Sequence, residues 1–263
     1  MSNETPHTKR IKLSGAHPEA LEVHTIQECK AALVPDSPEQ RCQGDRIIVV
    51  LEKAPLELLQ GRNRSIEIVN CDDHKNQLQK GGKDFSRFRP DILHQCLLTL
   101  LDSPLNKSGK LLIYIHTENH VLIEVSPMLR VPRTFKRFCG LFAELLQKNK
   151  IRAANSSDLL LKVIQNPIEK YLPPGGKKIG FSVGGRLTSV HELAKEVAAV
   201  PAGQSYIPAT FVIGAVSTDD PVKEPKFGGA YVEEQVSVSN YSLSAACCCG
   251  KLCEAFEQVW QII

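Results

Sequence analysis

The sequence lacks the long apolar runs and the leader pattern that would direct the chain into or across a membrane. Its longest apolar runs, Ile47 to Leu51 and Leu111 to Ile115, are far shorter than the roughly 20 residues that span a bilayer. The first ten residues contain no apolar stretch typical of a signal peptide. We therefore expect neither secretion nor membrane insertion.

The number and spacing of the cysteines argue against a disulfide framework and against a zinc site. The nine cysteines are odd in number, and Cys247, Cys248 and Cys249 are consecutive, so their side chains point to different sides of a helix. Because successive helical residues are turned by about 100°, Cys247, Cys249 and Cys253 cannot close a tetrahedron around zinc. The pattern predicts an intracellular, reducing compartment and no metal.

Sequence motifs of common enzyme sites are absent or lie in the wrong context. No G-x-G-x-x-G follows a strand, and no phosphate-binding G-x-x-x-x-G-K-[ST] occurs. The pattern G-x-S-x-G occurs around Ser182, but His191 is the only later histidine and no acid lies between the two. A hydrolase needs serine, acid and histidine in that order, so the hydrolase interpretation fails.

What the 263 residues do contain is the composition of a globular protein, with 42% apolar and 23% charged residues. We predict a tail over residues 1–44, with at most one short helix near 19 to 32, and one folded domain over residues 45–263. The net charge is only +3, but it is unevenly distributed. Between residues 130 and 152, seven basic side chains accompany a single acid, Glu144: Arg130, Arg133, Lys136, Arg137, Lys148, Lys150 and Arg152.

Apolar patterning predicts an α/β fold with a mainly parallel sheet. Arg46 to Leu51 is a β-branched run typical of a strand buried on both faces. Thr117 to His120 is a short turn between two strand runs, which predicts a small inserted antiparallel hairpin. Further strands are predicted over Ser65–Val69, Leu111–Thr117, Val121–Val125, Ile179–Val183, Thr210–Val216 and Val236–Ser239. Helices are predicted over Pro55–Leu59, Pro90–Leu101, Arg133–Lys148, Ser157–Gln165, Val190–Val200 and Ser244–Ile262.

The basic stretch predicts a binding surface for an anion or a nucleic acid. If Pro132 is the first residue of a helix, Arg133 and Arg137 stand four apart on one face, with Arg130 just upstream. Arginine suits bidentate phosphate contacts, and one acid leaves the bases few partners. The alternative is a solvated helix face held by ion pairs.

Two further segments have both a structural and a functional interpretation. Pro90 suits the first turn of a helix and Asp91 its positive end, whereas Arg89 could bind a phosphate while Asp91 contacts a base edge. Near the C-terminus, small residues from Asn240 to Ala246 would let the backbone approach a ligand. Gly214 ends a predicted strand, where α/β sheets form crevices.

Three segments together resemble the Nep/Emg family of ribosome-biogenesis methyltransferases: RPDILHQCLLTLLDSP from Arg89, RVPRTFKRF from Arg130, and SNYSLSA from Ser239. The resemblance covers roughly residues 45–263. It implies a SPOUT-type trefoil-knotted α/β domain, a homodimer, and a nuclear, nucleolar protein working with ribosome assembly factors. It also implies transfer of a methyl group from S-adenosyl-L-methionine to N1 of a pseudouridine in small-subunit (18S) ribosomal RNA.

The resemblance also assigns residues to the two ligands. RNA contacts would come from Arg89, Asp91, Arg130, Arg133 and Arg137, with Arg89 and Asp91 as the catalytic pair. The cofactor would lie against Gly180, Phe181, Gly214, Asp219, Ser242, Leu243, Ser244, Ala245, Ala246 and Cys247.

Two positions depart from the family pattern, which has proline at Ser242 and glycine near Asp219. An aspartate there would bond a ribose hydroxyl or cap the next turn. These departures leave open an alternative function, a non-catalytic assembly factor that binds pre-ribosomal RNA through the same dimeric basic surface.

Overall fold

The computed structural model describes residues 34–35, 37–61, 65–154, 156–200 and 203–263. The helix predicted near residues 19 to 32 lies outside the described residues, and the limits of the tail stay a prediction. No helix in the described part of the chain is long and apolar enough to cross a bilayer.

Eight strands form one sheet in the order β10-β8-β9-β1-β4-β5-β7-β6. From β10 to β4 the pairings are parallel, and from β4 to β6 they are antiparallel. A separate antiparallel pair joins β2 to β3. The strands are β1 Ile47–Ala54, β2 Leu58–Gln60, β3 Ile66–Ile68, β4 Leu111–Thr117, β5 Leu122–Val125, β6 Lys150–Arg152, β7 Leu159–Ile164, β8 Lys178–Leu187, β9 Ala209–Gly214 and β10 Glu234–Ser237.

The helices of nine residues or more in the described chain all pack on the same face of the sheet. The α-helices are α1 Pro38–Arg41, α2 Lys75–Lys80, α3 Pro90–Asp102, α4 Pro104–Lys107, α5 Phe135–Lys148, α6 Val190–Ala198 and α7 Ala245–Val259. On β1, Ile47, Val49 and Leu51 face these helices. Ile48 and Val50 face the other side, which loops cover. Burial on both faces explains the continuous apolar run of β1.

The antiparallel part of the sheet is larger than the predicted hairpin. The hairpin of β4 and β5 is confirmed, but the predicted helix Ser157–Gln165 is wrong because Leu159–Ile164 forms β7, between β5 and β6. A short apolar run suits a strand as well as a helix. Here the segment pairs with the edge of β5 and is therefore a strand. The predicted helix Pro55–Leu59 is also wrong, since Leu58–Gln60 pairs with β3.

The start of α5 corrects the predicted basic helix face. Thr134 is the extended residue before the helix, which begins at Phe135. Arg133 therefore lies in the preceding loop and does not share a helix face with Arg137. The ring of His94 on α3 donates from Nε2 to the carbonyl of Pro132, 2.8 Å away, and this bond holds the loop outside the helix.

Phe138 fixes α5 against α3 and should be one of the costlier side chains to remove. It is fully buried, and its ring stacks on the ring of His94 with 4.5 Å between the centroids and lies tilted against the ring of Phe142 at 4.6 Å. Phe138→Ala should lower the free energy of unfolding by about 3–5 kcal/mol through lost burial and a cavity. Urea unfolding would measure this, with the exposed Met128→Ala changing stability by less than about 0.5 kcal/mol. Equal effects of the two substitutions would contradict the packing described.

Candidate active site

A cavity of about 630 Å³ opens at the carboxyl ends of the parallel strands β9 and β10 and beside the middle of β8. Ligands of α/β sheets bind in such crevices, and the volume suits a nucleoside-sized molecule. The wall is formed by residues 181–183, 213–214, 216–221, 236–239, 241–246 and 248, with Arg89, Ile92 and Gln95 at the α3 side.

Glycine at position 214 lets the loop after β9 close tightly over the cavity. A Cβ atom there would lie 2.9 Å from Cγ of Pro221, closer than real side chains approach. Phe181, Ser182 and Val183 line the cavity, whereas Gly180 packs against Val222. A contact of the Gly180 backbone with a cofactor stays a prediction.

The segment of small residues before α7 forms one wall of the cavity. Ser242, Leu243, Ser244, Ala245 and Ala246 all line it, as the sequence predicts. The Ser244 side chain caps α7 by accepting a hydrogen bond from the backbone N–H of Cys247 at 3.2 Å.

Cysteine 248, rather than Cys247, faces the cavity at the start of α7. Cys247 is exposed and lies outside the lining, whereas Cys248 is part of it. Burial raises the pKa of the Cys248 thiol to about 11. This thiol is therefore protonated near neutral pH and is a poor nucleophile.

Asp219 lies at the rim of the cavity, with one carboxylate oxygen already paired. Its Oδ2 is 2.5 Å from Nζ of Lys53 and 2.6 Å from Nη2 of Arg87. The hydrogen bond from Lys53 lowers the pKa of Asp219, although partial burial opposes the shift. Burial of Lys53 acts to lower its pKa, but hydrogen bonds to Asp219 and Glu224 outweigh it and raise the pKa.

The neighbouring Asp220 ties two walls of the cavity together. It accepts a hydrogen bond from the hydroxyl of Ser182 at 2.6 Å and lies 3.1 Å from Nζ of Lys223. Ser182 stands within the continuous strand β8, with no strand-to-helix elbow, which agrees with rejecting it as a hydrolase nucleophile.

Arg89 and Asp91 form a bidentate ion pair where α3 begins. Arg89 donates from Nε and Nη2 to the two carboxylate oxygens at 2.8 and 2.7 Å. Pro90 is the first residue of α3, as predicted, and Arg89 precedes it. Arg89 also lines the cavity, whereas Asp91 does not. The pair therefore stands between the cavity and the protein surface.

The other three predicted RNA contacts are exposed side chains around the start of α5. Arg130 and Arg133 lie in the loop before the helix, and Arg137 lies in its first turn. Arg133 pairs with Asp102, at the end of α3, at 2.7 Å. The far end of the basic stretch has its own partners, since Lys148 pairs with Glu144 at 2.8 Å. The positive surface near the cavity is thus smaller than the charge count predicts.

Sequence reasoning missed several side chains of the site. Lys53, Arg87 and Asp220 belong to no recognisable motif, and Lys53 is 166 residues from Asp219 along the chain. Only the tertiary structure brings them together. Among the described residues, no group of three His, Cys, Asp or Glu side chains could hold a metal ion.

Comparison with known proteins defines the class of this chain. The structure superposes on the crystal structure of Archaeoglobus fulgidus Nep1 bound to S-adenosylhomocysteine with a TM-score of 0.66 and 24% identity, covering 82% of this chain and 99% of that one. The chain thus has the same fold as that structure, and the α/β class with a mostly parallel sheet is as predicted. The model of the EMG1/NEP1 methyltransferase family matches residues 49–257, and the chain belongs to that family.

Similarity to eukaryotic relatives extends over most of the chain. It is 47% identical to the ribosomal RNA small subunit methyltransferase NEP1 of Mus musculus over 223 residues, 85% of each chain. It is 48% identical to the Homo sapiens protein of the same name over 221 residues, 84% of each chain.

The ion pairs of Asp219 predict a pH-dependent contribution to stability. A carboxylate whose folded pKa lies below its ordinary value of 3.8 stabilises the fold above that value and loses this effect as the pH falls through the folded pKa. Asp219→Asn should therefore lower the free energy of unfolding at about pH 7 and have a smaller effect at about pH 3. Urea unfolding at both pH values tests this. An equal difference at both would exclude the charge as the source.

Proposed function

We propose that this chain transfers a methyl group from S-adenosyl-L-methionine to N1 of a pseudouridine in small-subunit (18S) ribosomal RNA. The observation that carries the proposal is the cavity at the carboxyl ends of β9 and β10, which Arg89, the ion-pair partner of Asp91, helps to line. Membership of the methyltransferase family and the names of the relatives support it.

The residues of the cavity fit S-adenosylmethionine in size and character. Ile213, Val236, Val238 and Leu243 offer apolar surface for an adenine ring, and backbone groups before α7 are close enough for polar contacts. Asp219 and Asp220 place negative charge at the rim, which suits a cationic ligand. Bound S-adenosylmethionine supplies an electrophilic methyl group on its sulfonium.

The exposed arginines around the start of α5 would hold the RNA. Arg130, Arg133 and Arg137 can each form bidentate bonds to phosphate. Sequence-specific RNA recognition usually takes a base out of the stack, and the reacting base must leave it to reach the cavity. Phosphate contacts on either side would hold the backbone while the base enters.

Asp91 is the side chain best placed to act on the base. Arg89 orients its carboxylate through two hydrogen bonds, so its free lone pairs are held in one direction. From there Asp91 would accept a hydrogen bond from N1–H, orienting the base or taking its proton as N1 forms the new bond. The protein's remaining contribution to the reaction would be to align N1 of the base with the methyl group of S-adenosylmethionine.

A homodimer would cover apolar side chains beside the cavity. Val183, Leu187 and Tyr241 are 73%, 55% and 80% exposed, and Val183 and Tyr241 belong to the cavity lining. Exposed apolar surface of this kind marks an interface, and a second copy seated here would narrow the cavity mouth. We further place the protein in the nucleus and nucleolus with ribosome assembly factors, in keeping with the family.

A second function, a non-catalytic RNA-binding assembly factor, is favoured by one observation. Asp219, near which the family pattern has glycine, is engaged by Lys53 and Arg87 at the cavity rim. Calorimetry with S-adenosylmethionine and S-adenosylhomocysteine separates the two functions. Binding of either compound supports the enzyme, and binding of neither, with RNA binding intact, supports the assembly factor.

Methylation should require both the modified base and Asp91. In single-turnover assays we expect methyl transfer to a hairpin containing pseudouridine and none to the same hairpin with uridine. Asp91→Asn should slow the step by about 100-fold, the usual contribution of a positioned acid or base. The control for folding is binding of S-adenosylhomocysteine, which should be unchanged in this variant because Asp91 lies outside the cavity lining. An unaltered rate would remove Asp91 from the reaction.

Arg133 should contribute one phosphate contact to RNA binding. Arg133→Ala is expected to weaken binding of every hairpin similarly and to reduce the slope of log affinity against log salt by about one. Lys177→Ala is a matched control, because Lys177 is also exposed and ion-paired but precedes β8 and lies outside the cavity lining. An unchanged slope for Arg133→Ala would exclude the contact.

A further inference from the structure

Asp219 joins three parts of the chain that are distant in sequence. Its Oδ2 contacts Lys53 at the end of β1 and Arg87 in the turn before α3. Asp219 itself belongs to the loop over residues 216–221 that lines the cavity. We call these three side chains the Asp219 cluster. One carboxylate oxygen thus receives two cationic donors from separate elements.

Lys53 is held in this cluster at a cost to the backbone. It is a non-glycine residue with a φ of +59°, a conformation that costs of order 1 kcal/mol or more. Its side chain is 8% exposed, and its Nζ is also 2.8 Å from Glu224. A buried cation without partners would be strongly unfavourable, so the two carboxylates are needed to keep Lys53 there.

Arg87 connects the cluster to the pair that faces the RNA. Arg89, two residues later, donates its backbone N–H to the carbonyl of Arg87 at 3.0 Å and orients Asp91. Besides the bond between Arg87 and Asp219, a second hydrogen bond joins the turn before α3 to the cavity loop. The hydroxyl of Ser217 in that loop donates to the carbonyl of Ser86 at 3.1 Å. The cavity loop and the turn before α3 are therefore fastened together at two points.

We infer that the Asp219 cluster couples the two ligands: Asp219, held by Lys53 and Arg87, is a positioning residue through which an occupied cofactor cavity favours RNA binding at Arg89 and Asp91. This inference rests on the proposed function. The physical reason is that a ligand which orders the cavity loop also orders the turn before α3, so the second ligand loses less conformational entropy on binding. Such coupling is reciprocal and usually amounts to 5- to 150-fold in affinity.

The experiment measures how far S-adenosylhomocysteine strengthens RNA binding. Fluorescence anisotropy gives the dissociation constant of a pseudouridine-containing hairpin without and with saturating S-adenosylhomocysteine, and calorimetry gives the affinity for S-adenosylhomocysteine alone. We define the ratio as the RNA dissociation constant without S-adenosylhomocysteine divided by the constant with it. For the natural chain we expect this ratio to be about 5 or more. In Lys53→Gly, whose side chain lies outside the cavity lining, the ratio should fall towards one while each ligand alone binds within about threefold of the natural chain. Asp219→Asn should also lower the ratio, and because Asp219 lines the cavity, its affinity for each ligand alone is measured separately.

Two other variants keep the result independent of folding. Lys53→Gly removes the same ion pair but relaxes the backbone, since glycine adopts a positive φ without strain, and it should also lower the ratio. Glu233→Gln breaks the ion pair between Lys178 and Glu233, which is of similar length at 2.6 Å and lies outside the cavity lining. This control should keep the ratio of the natural chain.

The outcomes separate this inference from the proposed function. A natural chain that binds neither ligand overturns both. If both ligands bind but their affinities are independent, or if the ratio survives in Asp219→Asn and Lys53→Gly, only the coupling is wrong. If Asp219→Asn loses affinity for S-adenosylhomocysteine alone and keeps the ratio, Asp219 contacts the cofactor directly and the inference also fails.

Discussion

Parallel pairing of β1 with β4 on one side and β9 on the other is the constraint on which the site depends. Because β8 and β10 continue in the same direction, the loops that follow these strands all leave at one edge of the sheet. The turn before α3 reaches the same edge through the contacts of Arg87 and Ser86. Burial of β1 on both faces makes this arrangement rigid.

Charge at that edge is organised in pairs. Asp91 is held by Arg89 and Asp219 by Lys53 and Arg87, while Asp220 bonds Ser182 and Lys223. Each carboxylate thereby has a fixed direction, which matters more for alignment of two reactants than the energy of any single pair. Around the start of α5, Arg130 and Arg137 are exposed, and Arg133 pairs with Asp102.

Much of the fold and part of the site could be predicted from local pattern. The continuous apolar run of β1 correctly predicts a strand buried on both faces, because such burial requires apolar residues at successive positions. The small residues before α7 line the cavity, and their contact with a cofactor stays a prediction. The sequence predicts a helix where Leu159–Ile164 forms β7, because its apolar residues suit a helix as well as a strand. Pairing with β5 in the folded chain makes this segment a strand. Cys248 and not Cys247 lines the cavity, because side-chain direction depends on helix phase. The assignment of Gly180 and Cys247 to the cofactor stays a prediction.

The sequence by itself determined the α/β class, the resemblance to a methyltransferase family, and the Arg89, Asp91 and arginine positions that the resemblance assigns to RNA. Those features depend on residue types in short, ordered segments. Only the tertiary structure decided that Arg133 lies outside α5, that Cys248 faces the cavity, and that Lys53 meets Asp219. Each of these depends on contacts between residues far apart in the chain, and such contacts follow from packing and sheet order rather than from local pattern.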